Sequence, residues 1–447
     1  MSKNVKVKRG LKLSFKGEAE KILEEAPVSK NYAIKPPNFY SIVPKTTVKE
    51  GAKVLAGDEL FYSKYSDQTR FVSPVSGIVK EIVRGAKRKI LEIRIEADQE
   101  ISYKDFGSLD PLSASEKEVK SKVFSSGLGV FLKQRPYDIL ANAEDSPKAI
   151  YVSAFNTAPI VGDLEFILKD KQAHFQTGIN VLTRLTEGKV YLGVEANSNS
   201  YLKKLENAEI INISGPHPAG NVGTLIHETE PINQGERVWT VGAEDVAIIG
   251  ELFSTGKYNA ERTVAVTGES AKNRKYYKTL IGAEIQSFVG EVEENSRFIS
   301  GDVLTGEKVE PDNFINFYDN ELSIIPEGDN YRMFGWLPFK DNHVHSMSKT
   351  SLSWLFPNKK YSVNTNLNGE ERALVVTGEM EEVMPLDIYP MELLKACMIG
   401  DIEKMENLGI YEVIPEDFAL VDYVNTSKIE AQEIIRNGLD LMITEVG

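Results

Sequence analysis

Two neighbouring stretches, "RFVSPVSGIVKEIVRG" (Arg70–Gly85) and "KILEIRIEA" (Lys89–Ala97), alternate apolar and polar residues along the chain. Such alternation is typical of β-strands with one buried face. Upstream, "TVKEGAKVLAGDELFYS" (Thr47–Ser63) has short apolar runs separated by glycines, which favour turns. We therefore predict a β-rich domain over residues 1–100.

This β-rich region resembles the β-sandwich of biotinyl and lipoyl domains, which present a modifiable lysine on a hairpin. Lys64, in "YSKYSDQ", lies near the corresponding position. The acidic-Asp-Lys-Ala context of a lipoylated hairpin is absent. We therefore predict the fold without the carrier activity, and we interpret Lys64 as a surface lysine.

From Lys148 onward, short apolar runs alternate with helical patterns. A strand is predicted at "KAIYVSAF" (Lys148–Phe155), followed by a long helical stretch from Asp163 to about Leu185. Two further strands follow, "KVYLGVEA" (Lys189–Ala196) and "AEIINISG" (Ala208–Gly215). Strands that alternate with helices indicate βαβ units and a parallel sheet. We predict a Rossmann-like domain over residues 101–257.

The remaining chain is predicted to be a small α+β module of the β-grasp or SLBB type at 258–330, followed by a mixed region at 331–447. This last region ends in two helical stretches, Tyr389–Gly409 and Thr426–Val446, and Thr426 or Ser427 is expected to cap the second. The fold class is therefore multi-domain α/β with a helical C-terminal region.

Composition excludes several functions for this chain of 447 residues. A net charge of −14 argues against a nucleic-acid binder and opposes adsorption to an anionic membrane surface. The single cysteine, Cys397, excludes an internal disulfide and a thiolate cluster. No apolar run reaches the ~18 residues of a membrane-spanning helix.

A loop rich in glycine and proline, "SGPHPAGNVGT" (Ser214–Thr224), follows a predicted strand, as phosphate-binding loops do. Asn221 stands where a P-loop has its lysine, and Pro216 and Pro218 remove two backbone donors. We therefore interpret the loop as structural or as a contact with another subunit, with His217 fixed between the two prolines.

No motif nominates a catalytic residue or a metal site. His343 and His345 would share one face of a strand, but the nearby sequence offers no third metal ligand. The nucleophile elbow G-x-S-x-G and the zinc motif H-E-x-x-H are both absent.

Two segments carry aromatic side chains close to proline, "IKPPNFYSI" (Ile34–Ile42) and "VFLKQRPYDIL" (Val130–Leu140). Flat apolar ligands such as quinones favour apolar and aromatic pockets with a few polar anchors. Ordinary packing of these side chains in connecting segments is the alternative interpretation.

Taken in order, the motifs resemble the A-subunit family of bacterial sodium-translocating NADH:quinone oxidoreductases along essentially the whole chain. The strings that carry the resemblance are "KRGLKLSFKG" (Lys8–Gly17), "VSPVSGIVKEIVRGAKRKILEIRIE" (Val72–Glu96), "GPHPAGNVGTLIH" (Gly215–His227), "VWTVGAEDVAIIGELF" (Val238–Phe253), "RFISGDVLTG" (Arg297–Gly306) and "VMPLDIYP" (Val383–Pro390).

The resemblance implies a peripheral subunit on the cytoplasmic side of the bacterial inner membrane, in a six-subunit complex that couples NADH oxidation and quinone reduction to sodium export. It implies that other subunits carry the flavins and the iron–sulfur centre, and that the membrane B subunit is the chief partner. The family is similar in architecture to the Rnf complex C subunit and to the flavin subunit of respiratory complex I. Val421 and Asn425 stand where those relatives have cluster cysteines, so we expect no cofactor on this chain.

The resemblance also associates both aromatic segments with quinone. The residues carried over are Phe39, Tyr40, Phe131, Arg135, Pro136 and Tyr137. A scaffold subunit that contributes to the quinone site is therefore the leading hypothesis. A free-standing flavin- or nicotinamide-dependent oxidoreductase, based on the Rossmann-like sheet, is the alternative.

Overall fold

In the computed structural model, which describes residues 3–328, 333–334, 345, 355–356 and 358–447, the alternating N-terminal stretches form antiparallel strands. One sheet has the strand order Asn31–Ile34, Ile90–Ala97, Gly77–Arg84 and Lys53–Val54. A second sheet has the order Pro44–Thr46, Glu59–Ser63 and Ser66–Val72. Their inward apolar side chains belong to one core, which is what the alternation requires.

The second part of the chain builds a seven-stranded sheet. Its strand order is Lys3–Lys6, Glu209–Ser214, Lys189–Glu195, Ala149–Ser153, Val238–Gly242, Lys133–Arg135 and Ile139–Leu140. The first five strands run parallel, and the last two join them antiparallel. The alternation of apolar runs and helical patterns in the sequence corresponds to these parallel pairs.

Helices connect the strands of this sheet. They are Glu116–Ser125, Leu164–Leu168, Gln172–Leu182, Val222–Thr229 and Ala243–Thr255, with short 3-10 turns at Leu128–Phe131 and Tyr201–Lys204. Helix Gln172–Leu182 packs closely on helix Ala243–Thr255, because glycines at 178 and 250 let the two backbones touch.

A third region contains a mixed six-stranded sheet. Its order is Glu307–Val309, Ser296–Ser300, Glu321–Pro326, Glu261–Thr267, Tyr276–Leu280 and Leu23–Glu25. A 3-10 turn, Ile285–Ser287, follows strand Tyr276–Leu280. The core of this sheet is continuous with the cores of the first two parts.

The C-terminal region is helical, as predicted, and has its own core. Its α-helices are Glu379–Val383, Pro390–Ile399, Ile402–Asn407, Ala419–Val424 and Ala431–Glu445, with 3-10 turns at Ile410–Glu412 and Pro415–Phe418. The multi-domain α/β class with a helical C-terminus is therefore confirmed.

The predicted helix ends were wrong in three places. The stretch from Asp163 to Leu185 is two helices, since the chain leaves helical geometry at Lys171. The stretch Tyr389–Gly409 is broken by Gly400, which adopts the left-handed conformation that ends helices. The last helix begins at Ala431, well beyond Thr426 and Ser427.

The cap of that last helix comes from a distant side chain. Asp422 accepts hydrogen bonds from the backbone N–H groups of Ala431, at 2.5 Å, and Gln432, at 3.3 Å. Ser427 donates instead to the carbonyl oxygen of Ala373. A carboxylate contributed by the preceding helix therefore satisfies the free N–H groups, and no capping pattern in the local sequence indicates it.

Two short strands within the first hundred residues lie outside the N-terminal sheets. Lys3–Lys6 pairs in parallel with Glu209–Ser214 at the edge of the α/β sheet. Leu23–Glu25 pairs in parallel with Tyr276–Leu280. The N-terminal segment thus ties the first part of the chain to the second and third parts.

Candidate functional site

The two aromatic segments, Ile34–Ile42 and Val130–Leu140, are brought together by the fold. Phe39 packs edge-on against Phe317 with ring centroids 4.8 Å apart, and Phe131 stacks on the same Phe317 at 5.4 Å. Phe39 also contacts Phe71 at 4.6 Å. These rings are buried, so Phe39, Phe131 and Phe317 form one aromatic cluster beneath the surface.

The residues that follow on each segment reach the surface and meet at the C-terminal helix. Tyr40 is 37% exposed, and its hydroxyl donates to Asp440 Oδ2 at 2.5 Å. The guanidinium of Arg436 lies 3.8 Å from the centroid of the Tyr40 ring, and its Nη2 donates to the backbone carbonyl of Tyr137 at 2.9 Å. The Tyr40 ring, the Tyr137 backbone and Arg436 therefore meet at one surface site, while the Tyr137 ring packs edge-on against Tyr411 with centroids 6.3 Å apart.

The Tyr40 hydroxyl keeps its proton across the physiological range. Burial and the hydrogen bond to Asp440 raise the pKa of Tyr40 to about 12, against the opposing charge of Arg436. Burial also raises the pKa of Tyr137. Both phenols are therefore neutral groups, suited to contact an uncharged aromatic ligand.

Arg135 and Pro136 are both buried, unlike their neighbour Tyr137. The Arg135 side chain is 1% exposed, and its Nη1 donates to Asp417 Oδ2 at 2.7 Å. Asp417 is equally buried and also accepts from the backbone N–H of Ile414. Arg135 thus joins the α/β sheet to the C-terminal region from within the protein, whereas Tyr137 is partly exposed.

A titratable carboxyl lies beside this buried pair. Burial and the neighbouring Asp417 raise the pKa of Glu416 to about 7, and the charge of Arg135 opposes the shift. The Glu416 carboxylate is 3.7 Å from Arg135 Nη2, and its side chain is 41% exposed. Because the Glu416 side chain is partly open to solvent, which screens its charge, only the upward direction of this pKa shift bears on the candidate site.

The loop Ser214–Thr224 is packed against the N-terminal segment. Leu11 donates its backbone N–H to the His217 carbonyl at 2.8 Å, and a Cβ at Gly10 would lie 2.1 Å from that oxygen. The His217 ring is 3.2 Å from the Thr157 hydroxyl, and burial lowers the pKa of His217 to about 4. These contacts agree with a structural loop that holds a neutral histidine.

Helix Val222–Thr229, which follows this loop, is tied to the C-terminal region by an ion pair. His227 Nδ1 lies 3.2 Å from Glu412 Oε2, and this hydrogen bond raises the pKa of His227 despite partial burial. Because the folded state favours the protonated ring, the pair stabilises the protein fully below the ordinary histidine pKa of about 6.5. That stabilisation is lost as the pH rises through the raised pKa.

We therefore expect the destabilisation caused by His227→Gln to depend on pH. The difference in free energy of unfolding between wild type and variant should be largest at about pH 5.5 and should shrink towards pH 9. Urea titrations at a series of pH values measure it. A difference that grows with pH would contradict the assigned ion pair, and Glu412→Gln should show the same trend.

Lys64 occupies the turn between strands Glu59–Ser63 and Ser66–Val72, at the predicted hairpin position. It is exposed, and it borders an open depression of about 440 Å³. The other residues lining the depression are Lys45, Tyr62, Tyr65, Ser66, Asp67, Gln68, Asn142 and Glu144.

The two residues that the sequence resemblance places at the positions of cluster cysteines lie in the C-terminal core. Val421 is fully buried in helix Ala419–Val424, and Asn425 donates to the carbonyl oxygen of Ile429. His345 contacts the Tyr423 hydroxyl at 3.1 Å, whereas His343 lies outside the described residues. Among the described residues, no group of three or more His, Cys, Asp or Glu side chains could hold a metal ion.

An apolar groove of about 590 Å³ lies on the C-terminal region. Its walls are Ala373, Leu374, Met398, Ile399 and Ile429, with Glu371, Arg372 and Lys395 at the rim. Apolar grooves of this size are suited to small ligands. None of the six residues assigned to quinone from the sequence lines it.

Sequence reasoning missed Arg436 and Asp440 in the surface site, as well as Asp417 beneath it. Arg436 and Asp440 are four residues apart, a spacing common to exposed ion pairs on helices. Asp417 resembles any acidic residue in the first turn of a helix. No local signal could have placed these residues beside Tyr40, Tyr137 or Arg135.

Three stretches of the chain match family models. Residues 5–98 match the NqrA N-terminal barrel-sandwich hybrid domain, which confirms the predicted sandwich. Residues 114–258 match the NqrA second alpha/beta domain, and residues 263–310 match the NQRA C-terminal domain. Within the described residues, no helix is long and apolar enough to cross a membrane.

Curated relatives match over nearly their full length. The chain is 34% identical over 447 residues to the A subunit of the Na(+)-translocating NADH-quinone reductase of Neisseria meningitidis serogroup A, covering 99% of this chain and 100% of the relative. The protein of the same name from Marinomonas sp. is 34% identical, with 98% and 99% covered. The one from Saccharophagus degradans is also 34% identical, with 97% and 98% covered. The chain therefore belongs to the NqrA family, the A subunits of Na(+)-translocating NADH-quinone reductases.

Proposed function

We propose that this chain is a peripheral scaffold subunit of a membrane complex that couples NADH oxidation and quinone reduction to sodium export, and that it forms part of the quinone site. The full-length match to A subunits supports the assignment to the complex. The single observation that carries the quinone role is the convergence of Tyr40, Tyr137 and Arg436 at one surface.

In this proposal the six carried-over residues have two roles. Tyr40 and Tyr137 contact the quinone at the surface, because they are the partly exposed aromatic rings of the two segments. Pro136 is buried and supports Tyr137 from below. Phe39, Phe131 and Arg135 hold those residues in place from below. Neutral phenols and a guanidinium beside aromatic rings supply the polar anchors and flat apolar contacts that a quinone requires.

The assembly follows from the same assignment. We propose that the chain docks chiefly on the membrane B subunit, on the cytoplasmic side, and that other subunits of the six carry the flavins and the iron–sulfur centre. We also propose that residues 101–257 form a Rossmann-like domain and residues 258–330 a β-grasp or SLBB-like module. The domain boundaries then lie near residues 100, 257 and 330. The match along the whole chain favours membership of a complex over a free-standing oxidoreductase.

Deletion of this chain tests the scaffold role. We expect complex purified from a strain lacking the chain to lose both quinone reductase activity and sodium export, because the quinone site would be incomplete. Both activities are measured on reconstituted vesicles. Unchanged activities would refute the proposal, and a stoichiometric flavin absorption band on the purified chain would favour the free-standing oxidoreductase.

A photoreactive quinone tests the site directly. We expect it to label residues 34–42 and 130–140 of this chain in the intact complex, and Tyr137→Ala to reduce that labelling. Tyr137 is a better target than Arg135, because Arg135→Ala also leaves the buried Asp417 carboxylate without its partner. Label confined to other subunits, or to the apolar groove at residues 371–374 and 395–399, would show that the assigned site is wrong.

A further inference from the structure

The C-terminal helix Ala431–Glu445 is held in place by its apolar face. Ala431, Ile435, Leu439 and Met442 are fully buried in the C-terminal core. Arg436 lies beside this face and is 15% exposed. Buried apolar surface therefore anchors the helix, and the contacts of Arg436 are not needed to hold it in place.

Those contacts join the two aromatic segments. Arg436 stacks on the Tyr40 ring at 3.8 Å and donates from Nη2 to the Tyr137 carbonyl at 2.9 Å. Its Nε donates to Asp440 Oδ1 at 3.1 Å, while the other Asp440 oxygen accepts from the Tyr40 hydroxyl. Tyr40, Asp440 and Arg436 thus each contact the other two. The backbone carbonyl of Tyr137 is bound to the same cluster through Arg436.

The geometry suits arginine specifically. A planar guanidinium can stack on a ring and still donate hydrogen bonds in its own plane, whereas a lysine ammonium cannot do both in the same way. Among the described contacts, Arg436 Nη1 is buried and has no hydrogen-bond partner. A buried donor without an acceptor is unfavourable, and a quinone carbonyl is an acceptor.

We propose that Arg436 is the positioning residue of the quinone site, clamping Tyr40 and Tyr137 in register and leaving Nη1 to donate to a quinone carbonyl. This inference rests on the proposed quinone function and adds to it a residue from the C-terminal helix. Without the clamp, none of the described contacts links the Tyr40 side chain to Tyr137, so the two surface tyrosines no longer share one geometry.

Steady-state kinetics of the intact complex test the clamp. We expect Arg436→Gln to raise the KM for quinone about tenfold, the effect of losing roughly one good polar contact, with kcat changed by less than about twofold. The melting temperature of the purified chain should stay close to that of wild type. Arg436→Lys should not restore the KM, because it keeps the charge and loses the planar group.

Arg94→Gln is the matched control. Arg94 also lies over an aromatic ring, that of Phe314 at 5.7 Å, and pairs with Glu92 and Glu81 in the N-terminal sheet. It touches neither aromatic segment of the candidate site through these contacts. We expect its KM for quinone to equal that of wild type.

Tyr40→Leu keeps the test decisive if Arg436→Gln destabilises the helix. It removes the other half of the stack from outside the helix, and it should raise the KM to a similar extent. Because both variants break one contact, their effects should be markedly less than additive in the double variant.

Photoreactive labelling separates the two proposals. Wild-type labelling at 34–42 and 130–140 that is lost in Arg436→Gln supports the clamp. Labelling and KM that are unchanged in Arg436→Gln overturn the clamp and leave the quinone site standing. If wild type takes no label on this chain, the quinone function fails and the clamp fails with it.

Discussion

Asp417→Ala should lower the free energy of unfolding by about 3–5 kcal/mol, the usual cost of removing one partner from a buried ion pair. Arg135 and Asp417 are each 1% exposed at the side chain, with 2.7 Å between Nη1 and Oδ2. Removal of the carboxylate leaves a guanidinium that cannot lose its proton in a site closed to bulk solvent. It also removes the acceptor of the Ile414 backbone N–H.

Two controls separate this effect from a general loss of charge. Glu81→Gln breaks the exposed Glu81–Arg94 pair and should cost less than about 1 kcal/mol. The double variant Arg135→Met with Asp417→Leu removes both charges and should recover much of the stability, because apolar replacements of a buried pair are often neutral. Denaturant titration measures all three, and an Asp417→Ala cost below about 1 kcal/mol would refute the buried pair.

Gly250→Val should destabilise the α/β domain by about 3 kcal/mol or more, at the upper end of the range for overpacking. A Cβ at Gly250 would lie 1.8 Å from the His174 carbonyl oxygen and 2.5 Å from the Gly178 nitrogen. Both are backbone atoms, so no side-chain rotation relieves the clash. Helices Gln172–Leu182 and Ala243–Thr255 must separate to admit the new side chain.

Thr255→Val is the control for this substitution. It places the same side chain on an exposed position at the end of the same helix, where we expect a change within about 0.5 kcal/mol. Thermal or denaturant unfolding of both variants measures the difference. If Gly250→Val is as stable as Thr255→Val, the close backbone contact of the two helices is wrong.

Much of the local structure could be predicted because it depends on short-range periodicity. The alternation in Lys89–Ala97 corresponds to strand Ile90–Ala97, and the apolar run in Lys148–Phe155 corresponds to strand Ala149–Ser153. Helix ends were less predictable, since a cap can come from a distant residue. Asp422 caps the last helix although Thr426 and Ser427 have the better local pattern.

Residue patterns and the order of motifs along the chain were enough to predict the sandwich, the β/α alternation, the helical C-terminus and the family. Each of these depends on neighbours in the sequence or on the order of motifs along it. Packing in three dimensions was needed to show that Arg135 is a buried partner of Asp417, and that Tyr40 and Tyr137 meet at Arg436. No periodic pattern and no local composition in the sequence indicates the contacts between residues 40, 137 and 436. These contacts arise only when separately formed elements pack together.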